Sequence, residues 1–95
     1  MTEQQTISLI ELLKHLPDPY CMYDMEFSSL SSGENFCLQY EHFDVAIEES
    51  GNAFLLPVGS IKPVLIYDAH KRFFDVSGVP ISPIERILRK IGRDV

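Results

Sequence analysis

PVLIYDAHKRFFDV, residues 63–76, reads as an apolar run, a polar interruption and a second run rich in aromatics. Val64, Leu65, Ile66 and Tyr67 are consecutive and apolar. A strand points alternate side chains to opposite faces, so such a run predicts a strand covered on both sides, interior to a sheet. Asp68-Ala69-His70-Lys71 interrupts it, and Asp suits the first position of a type I turn because its carboxylate accepts from backbone N–H groups further on. Apolar character resumes over 72–76, with Phe74 and Val76 on one face, until Ser77-Gly78. The stretch predicts a β-hairpin. Asp68 and His70 also read as an acid–base pair or half a metal site, but solvated turn residues account for both.

Upstream, residues 20–30 (YCMYDMEFSSL) alternate, with Cys21, Tyr23, Met25 and Phe27 on one face and Tyr20, Met22, Asp24 and Glu26 on the other. This predicts a half-buried strand with acids outward. Asp24 and Glu26 resemble the paired carboxylates of acid–base chemistry, but two acids on one strand face suit solvent better than a cleft. Residues 28–35 (SSLSSGEN) form a loop by composition. No phosphate-loop spacing or neighbouring base accompanies their Ser and Gly. Over 36–49, Phe36, Leu38 and Tyr40 share one parity and Phe43, Val45 and Ile47 the other. One long strand with a bulge, or two strands with a turn at Glu41-His42, gives that shift of phase. Ser50-Gly51-Asn52 predicts a tight turn. Residues 53–58 return as a strand whose Pro57 places that end at an edge or outside the sheet.

Two helices flank these strands. Ser8 and Glu11 fit a capping box, Ile7 and Leu12 a hydrophobic staple. Leu9, Leu12, Leu13 and Leu16 form one apolar stripe, widened by Ile10, before Pro17. At the other end, Ser82, Pro83 and Glu85 fit an N-terminus, Ile84, Ile87, Leu88 and Ile91 a stripe, and Gly92 a terminator. Arg86, Arg89, Lys90 and Arg93 make its outer face basic.

Ninety-five residues, 45% of them hydrophobic, define a single globular domain, residues 1–95, rather than a disordered chain. No apolar run approaches the ~18 residues that span a bilayer. MTEQQT lacks the basic start and apolar core of a signal peptide, so a cytoplasmic location is expected. The two cysteines, Cys21 and Cys37, are expected as buried free thiols, with pairing across neighbouring strands the alternative. No cysteine or histidine spacing fits a metal, and no cofactor is expected.

The net charge of −6 divides unevenly: residues 1–58 carry −9 and residues 59–95 carry +3. Such asymmetry fits an acidic surface for a basic partner, attraction between two copies, or a simply acidic exterior.

The fold expected is α+β: a mainly antiparallel sheet of about five strands between an N-terminal and a C-terminal helix, in the order αβββββα. No nucleophile elbow, zinc-protease helix or readable Cys–His arrangement is present, which leaves a non-catalytic protein-binding domain as the expected function. Inhibitor, immunity or adaptor proteins of the phage and mobile-element type are the analogues that size and charge bring to mind. The binding residues expected are the acids Glu41, Asp44, Glu48 and Glu49, facing a basic protein, with homodimerisation as a second use. The alternative is nucleic-acid association through Arg86, Arg89, Lys90 and Arg93, against which stands the net acidity of the chain. A small enzyme built on His15, His42 and His70 ranks last.

Overall fold

Thr2-Glu3-Gln4-Gln5 starts the first helix in the computed structural model, which describes residues 1–30, 33–58 and 62–77. The Gln5 N–H donates to Thr2 Oγ1 at 3.1 Å, and the Thr2 N–H donates to Gln5 Oε1 at 2.7 Å. This reciprocal pair satisfies two donors that a helix start leaves orphaned. Helix α1 therefore spans Glu3–Leu13, with its cap at Thr2 rather than Ser8. Ser8 is instead fully buried and its hydroxyl donates to the Gly51 carbonyl. The helix closes before Pro17 in a tightened turn, where the His15 N–H reaches the Leu12 carbonyl at 2.9 Å.

Six strands follow: β1 Cys21–Met25, β2 Asn35–Gln39, β3 Phe43–Ile47, β4 Ala53–Pro57, β5 Val64–Asp68 and β6 Phe73–Phe74. They form one antiparallel sheet in sequence order, each strand beside its chain neighbour. The count is six rather than five because residues 36–49 divide. The Tyr40 N–H donates to the Phe43 carbonyl at 2.9 Å, which makes Glu41-His42 a two-residue turn rather than a bulge. The C-terminal helix expected over residues 82–92, with Arg86, Arg89, Lys90 and Arg93, lies outside the described residues.

One face of the sheet carries the core. Phe36, Leu38 and Tyr40 on β2 and its turn align with Ile47, Val45 and Phe43, and these with Ala53 and Leu55. Leu12 and Leu16 close over them, with Leu9 at the margin. Burying each such leucine contributes roughly 1.5–3 kcal/mol. The stripe of α1 is narrower than its sequence implies: Ile10 and Leu13 are exposed, and the inward face opens with polar groups. The Gln5 amide donates to the Ile47 and Glu34 carbonyls at 3.0 and 3.2 Å. The Ser8 hydroxyl needs Gly51 beside it. Gly51 has φ +94, and a Cβ there would lie 2.9 Å from Ser8 Oγ and from Ala69 Cβ. That position therefore requires glycine for both conformation and space.

The run 64–67 is not covered on both sides, since Leu65 is 44% exposed. Ala53 pairs with Tyr67 but Phe54 with Leu65, so Ile66 is an extra residue in β5. This bulge lets Ile66 and Tyr67, neighbours in sequence, join the same core. The hairpin itself is as expected. Tyr67 pairs with Phe74, and Asp68 Oδ1 accepts from the His70 and Lys71 N–H groups at 3.0 and 3.3 Å. The His15 ring stacks on Phe74 at 4.7 Å, which joins the end of α1 to β6.

Candidate functional site

Among the described residues strand β1 forms one edge of the sheet, and four of its five residues are exposed. The expected half-buried strand is thus an edge with both faces largely open. Tyr20, Met22 and Met25 are 74%, 53% and 47% exposed, a dense group of large apolar side chains for one short segment. Asp24 and Glu26 lie among them, also exposed. An open edge of this kind presents unpaired backbone N–H and C=O groups to another strand.

The face opposite the core is chemically distinct. Cys21 pairs in register with Gln39, Tyr23 with Cys37, and Cys37 with Ala46. The Cys21 thiol donates to Gln39 Oε1 at 3.1 Å, and the Tyr23 hydroxyl donates to Asp44 Oδ2 at 3.0 Å. Burial, then the hydrogen bond to Asp44, holds the Tyr23 phenol well above its usual range. Burial likewise pushes the Cys37 thiol up to about 12, with Asp44 and Asp24 adding to the effect. Both cysteines are free, but only Cys37 is buried, because Cys21 sits on the edge strand.

After β1 the chain folds back across this face. Phe27, Ser28 and Ser29 form one wall of a cleft of about 540 Å³, and Leu56, Pro57 and Val58 form the other, with Asp44 between. Among the described residues Asp44 is its one charged lining residue. A mostly apolar cleft with a single fixed polar group is the usual form of a recognition pocket.

The four expected acids do not converge. Glu41 lies on the β2–β3 turn and Asp44 in mid-sheet on the cleft face. Glu48 and Glu49 follow β3 at its far end, roughly 17 Å along a five-residue strand. The Glu49 carboxyl rests over Gly33, where a Cβ would meet its Cδ at 2.8 Å, and the Glu49 carbonyl accepts from the Thr2 hydroxyl at 3.0 Å. Of the four, Asp44 alone lines the cleft. Residues 20–29 contribute much of the rest of the region, and their near-alternation in sequence gave no sign that Phe27 lines the same cleft as Leu56.

The histidines are far apart in role. His15 stacks on Phe74, His42 lies 3.8 Å from Glu41 on an exposed turn, and His70 lies on the β5–β6 turn. The Asp68 carboxylate caps its own turn rather than meeting the His70 ring. No group of three His, Cys, Asp or Glu side chains suited to a metal occurs among the described residues. A second cleft, of about 500 Å³, lies beneath that turn, lined by Gln4, Asn52, Asp68, His70 and Arg72 among others, with Arg72 at φ 53. No described helix is long and apolar enough to cross a membrane. No family model matches the chain, and neither does any curated protein or solved structure.

Proposed function

We propose that this chain is a non-catalytic protein-binding domain that engages its partner along β1 and the adjoining cleft. The observation that carries the reading is the exposure of Met22 and Met25 on an edge strand and of Tyr20 just before it. Aromatic residues and methionine are enriched in protein interfaces, and an open edge accepts an added strand whose main-chain bonds give affinity while alternate side chains give specificity. Asp24 and Glu26 favour a partner strand with basic residues two apart, since opposite charges across a strand pair attract. The acidic balance of residues 1–58 favours the same kind of partner through longer-range steering. Nucleic acid engaged through Arg86, Arg89, Lys90 and Arg93 is an alternative that rests on the sequence pattern alone.

The test is photocrosslinking in host cells, with the crosslinking residue at Tyr20 or, as a control, at Phe73 on the opposite edge. A protein captured at Tyr20, absent at Phe73 and lost in the Asp24→Lys/Glu26→Lys variant is the expected result. A product of twice the chain mass identifies the partner as a second copy. Equal capture at both edges, or none at either, overturns the reading.

A further inference from the structure

We propose that the Asp44 cleft receives the side chain of a lysine or arginine from the bound protein; the inference rests on the protein-binding reading above and specifies its chemistry. Asp44 lines a cleft otherwise walled by Phe27, Leu56, Pro57, Val58 and two serines. Among the described residues no cation pairs with it. The Tyr23 hydroxyl holds Oδ2 at 3.0 Å and leaves Oδ1 without a hydrogen-bond partner there. Among the described residues the carboxylate is thus oriented but not neutralised.

Lysine and arginine match this arrangement in two parts. Their aliphatic stems lie well against apolar surface while the charged head reaches an acceptor. Phe27, Leu56 and Pro57 supply the apolar surface, and Asp44 with the Ser28 and Ser29 hydroxyls supplies acceptors. A charge-assisted bond to a carboxylate is shorter and stronger than a neutral one. An acidic side chain is excluded by Asp44, and a neutral apolar one leaves the carboxylate without its counter-charge. Tyr23 sits on β1 and its hydroxyl on Asp44, so the edge that would carry an added strand also fixes the group that would read its side chain.

The test is a backbone amide NMR titration of the whole chain with N-acetyl-lysine amide and N-acetyl-arginine amide, with N-acetyl-norleucine amide as the apolar control. Saturable shifts at Phe27, Ser28, Ser29, Asp44 and Leu56 are expected with the basic probes, at least tenfold weaker with norleucine. Asp44→Asn is expected to weaken the basic probes at least tenfold while the spectrum stays folded. Val58→Trp, at an exposed position on the mouth, is expected to block them without touching the carboxylate. Norleucine binding as well as lysine, or basic probes unaffected by Asp44→Asn, overturns the inference, as does the absence of saturable shifts. A partner that crosslinks at Tyr20 with the same affinity in wild type and Asp44→Asn also removes the cleft from recognition, while leaving the edge-binding reading in place.

Discussion

The two faces of this sheet come from the same alternating strands, yet they solve different problems. Under α1 the face is aliphatic and aromatic, closed by Leu12 and Leu16, and its polar contacts are confined to the margin where Gln5 and Ser8 meet carbonyls. The opposite face carries a thiol bonded to an amide, a phenol bonded to a carboxylate, and a cleft. The first arrangement gains free energy by excluding water. The second retains groups whose use depends on what approaches them. An aliphatic core and a polar, clefted face are thus placed back to back across one layer of backbone.

The largest expected difference comes from matched truncations. Leu38→Ala, under the helix, is expected to cost about 2–5 kcal/mol. Leu65→Ala, 44% exposed on the other face, is expected to cost under about 1 kcal/mol. Denaturant midpoints at constant slope check this, and equal losses would break the comparison.

Alkaline titration sharpens it. Cys37 ionises near 9.0 when unfolded and at about 12 when folded. Its contribution is full below pH 9.0, and above that the unfolded state sheds a proton that the folded state keeps. Stability is expected to fall from pH 9.0 toward 12, with Tyr40, also pushed up to about 12 by burial and then Asp18, joining from pH 10.0. Chemical unfolding at pH 8, 9 and 10 should show the early part of this decline, and Cys37→Ala should remove it. A variant with the wild-type slope between pH 9 and 10 would mean that the cleft face does not titrate first.

Smaller still is Tyr23→Phe, which removes one hydrogen bond to a partly exposed carboxylate. A loss of about 1 kcal/mol is expected by thermal or denaturant unfolding, with the core untouched. The smallest effect is kinetic. Cys21 should react with iodoacetamide in the native protein at the rate of an exposed thiol, while Cys37 is protected until the chain unfolds. Equal labelling would show that the cleft face opens readily.

Much of the architecture could be read before the structure. The reversal of apolar parity between Tyr40 and Phe43 marked a bulge or a turn without choosing between them, and Ser50-Gly51-Asn52 marked the next turn. The start of α1 could not be chosen that way. Thr2/Gln5 and Ser8/Glu11 both fit the capping pattern, and long-range contacts separate them: the Ser8 hydroxyl bonds the Gly51 carbonyl, while Thr2 and Gln5 bond carbonyls of residues 34, 47 and 49. The run 64–67 misled because a bulge puts consecutive residues into one core, which alternation alone reads as two covered faces. The site was harder. Neighbouring acids in sequence lie at opposite ends of β3, while the cleft joins residues 27–29 to residues 56–58 through a fold-back that no local spacing encodes.

The sequential order of the sheet has a consequence for how the chain assembles. Every strand pairs with the next, a pattern of local pairing that favours rapid folding. Helix α1 is the exception. Its anchors lie at Ile47 and Gly51, 42 and 43 residues downstream of Gln5 and Ser8. Helix α1 is therefore obliged to wait until β3 and its following turn exist before it can dock.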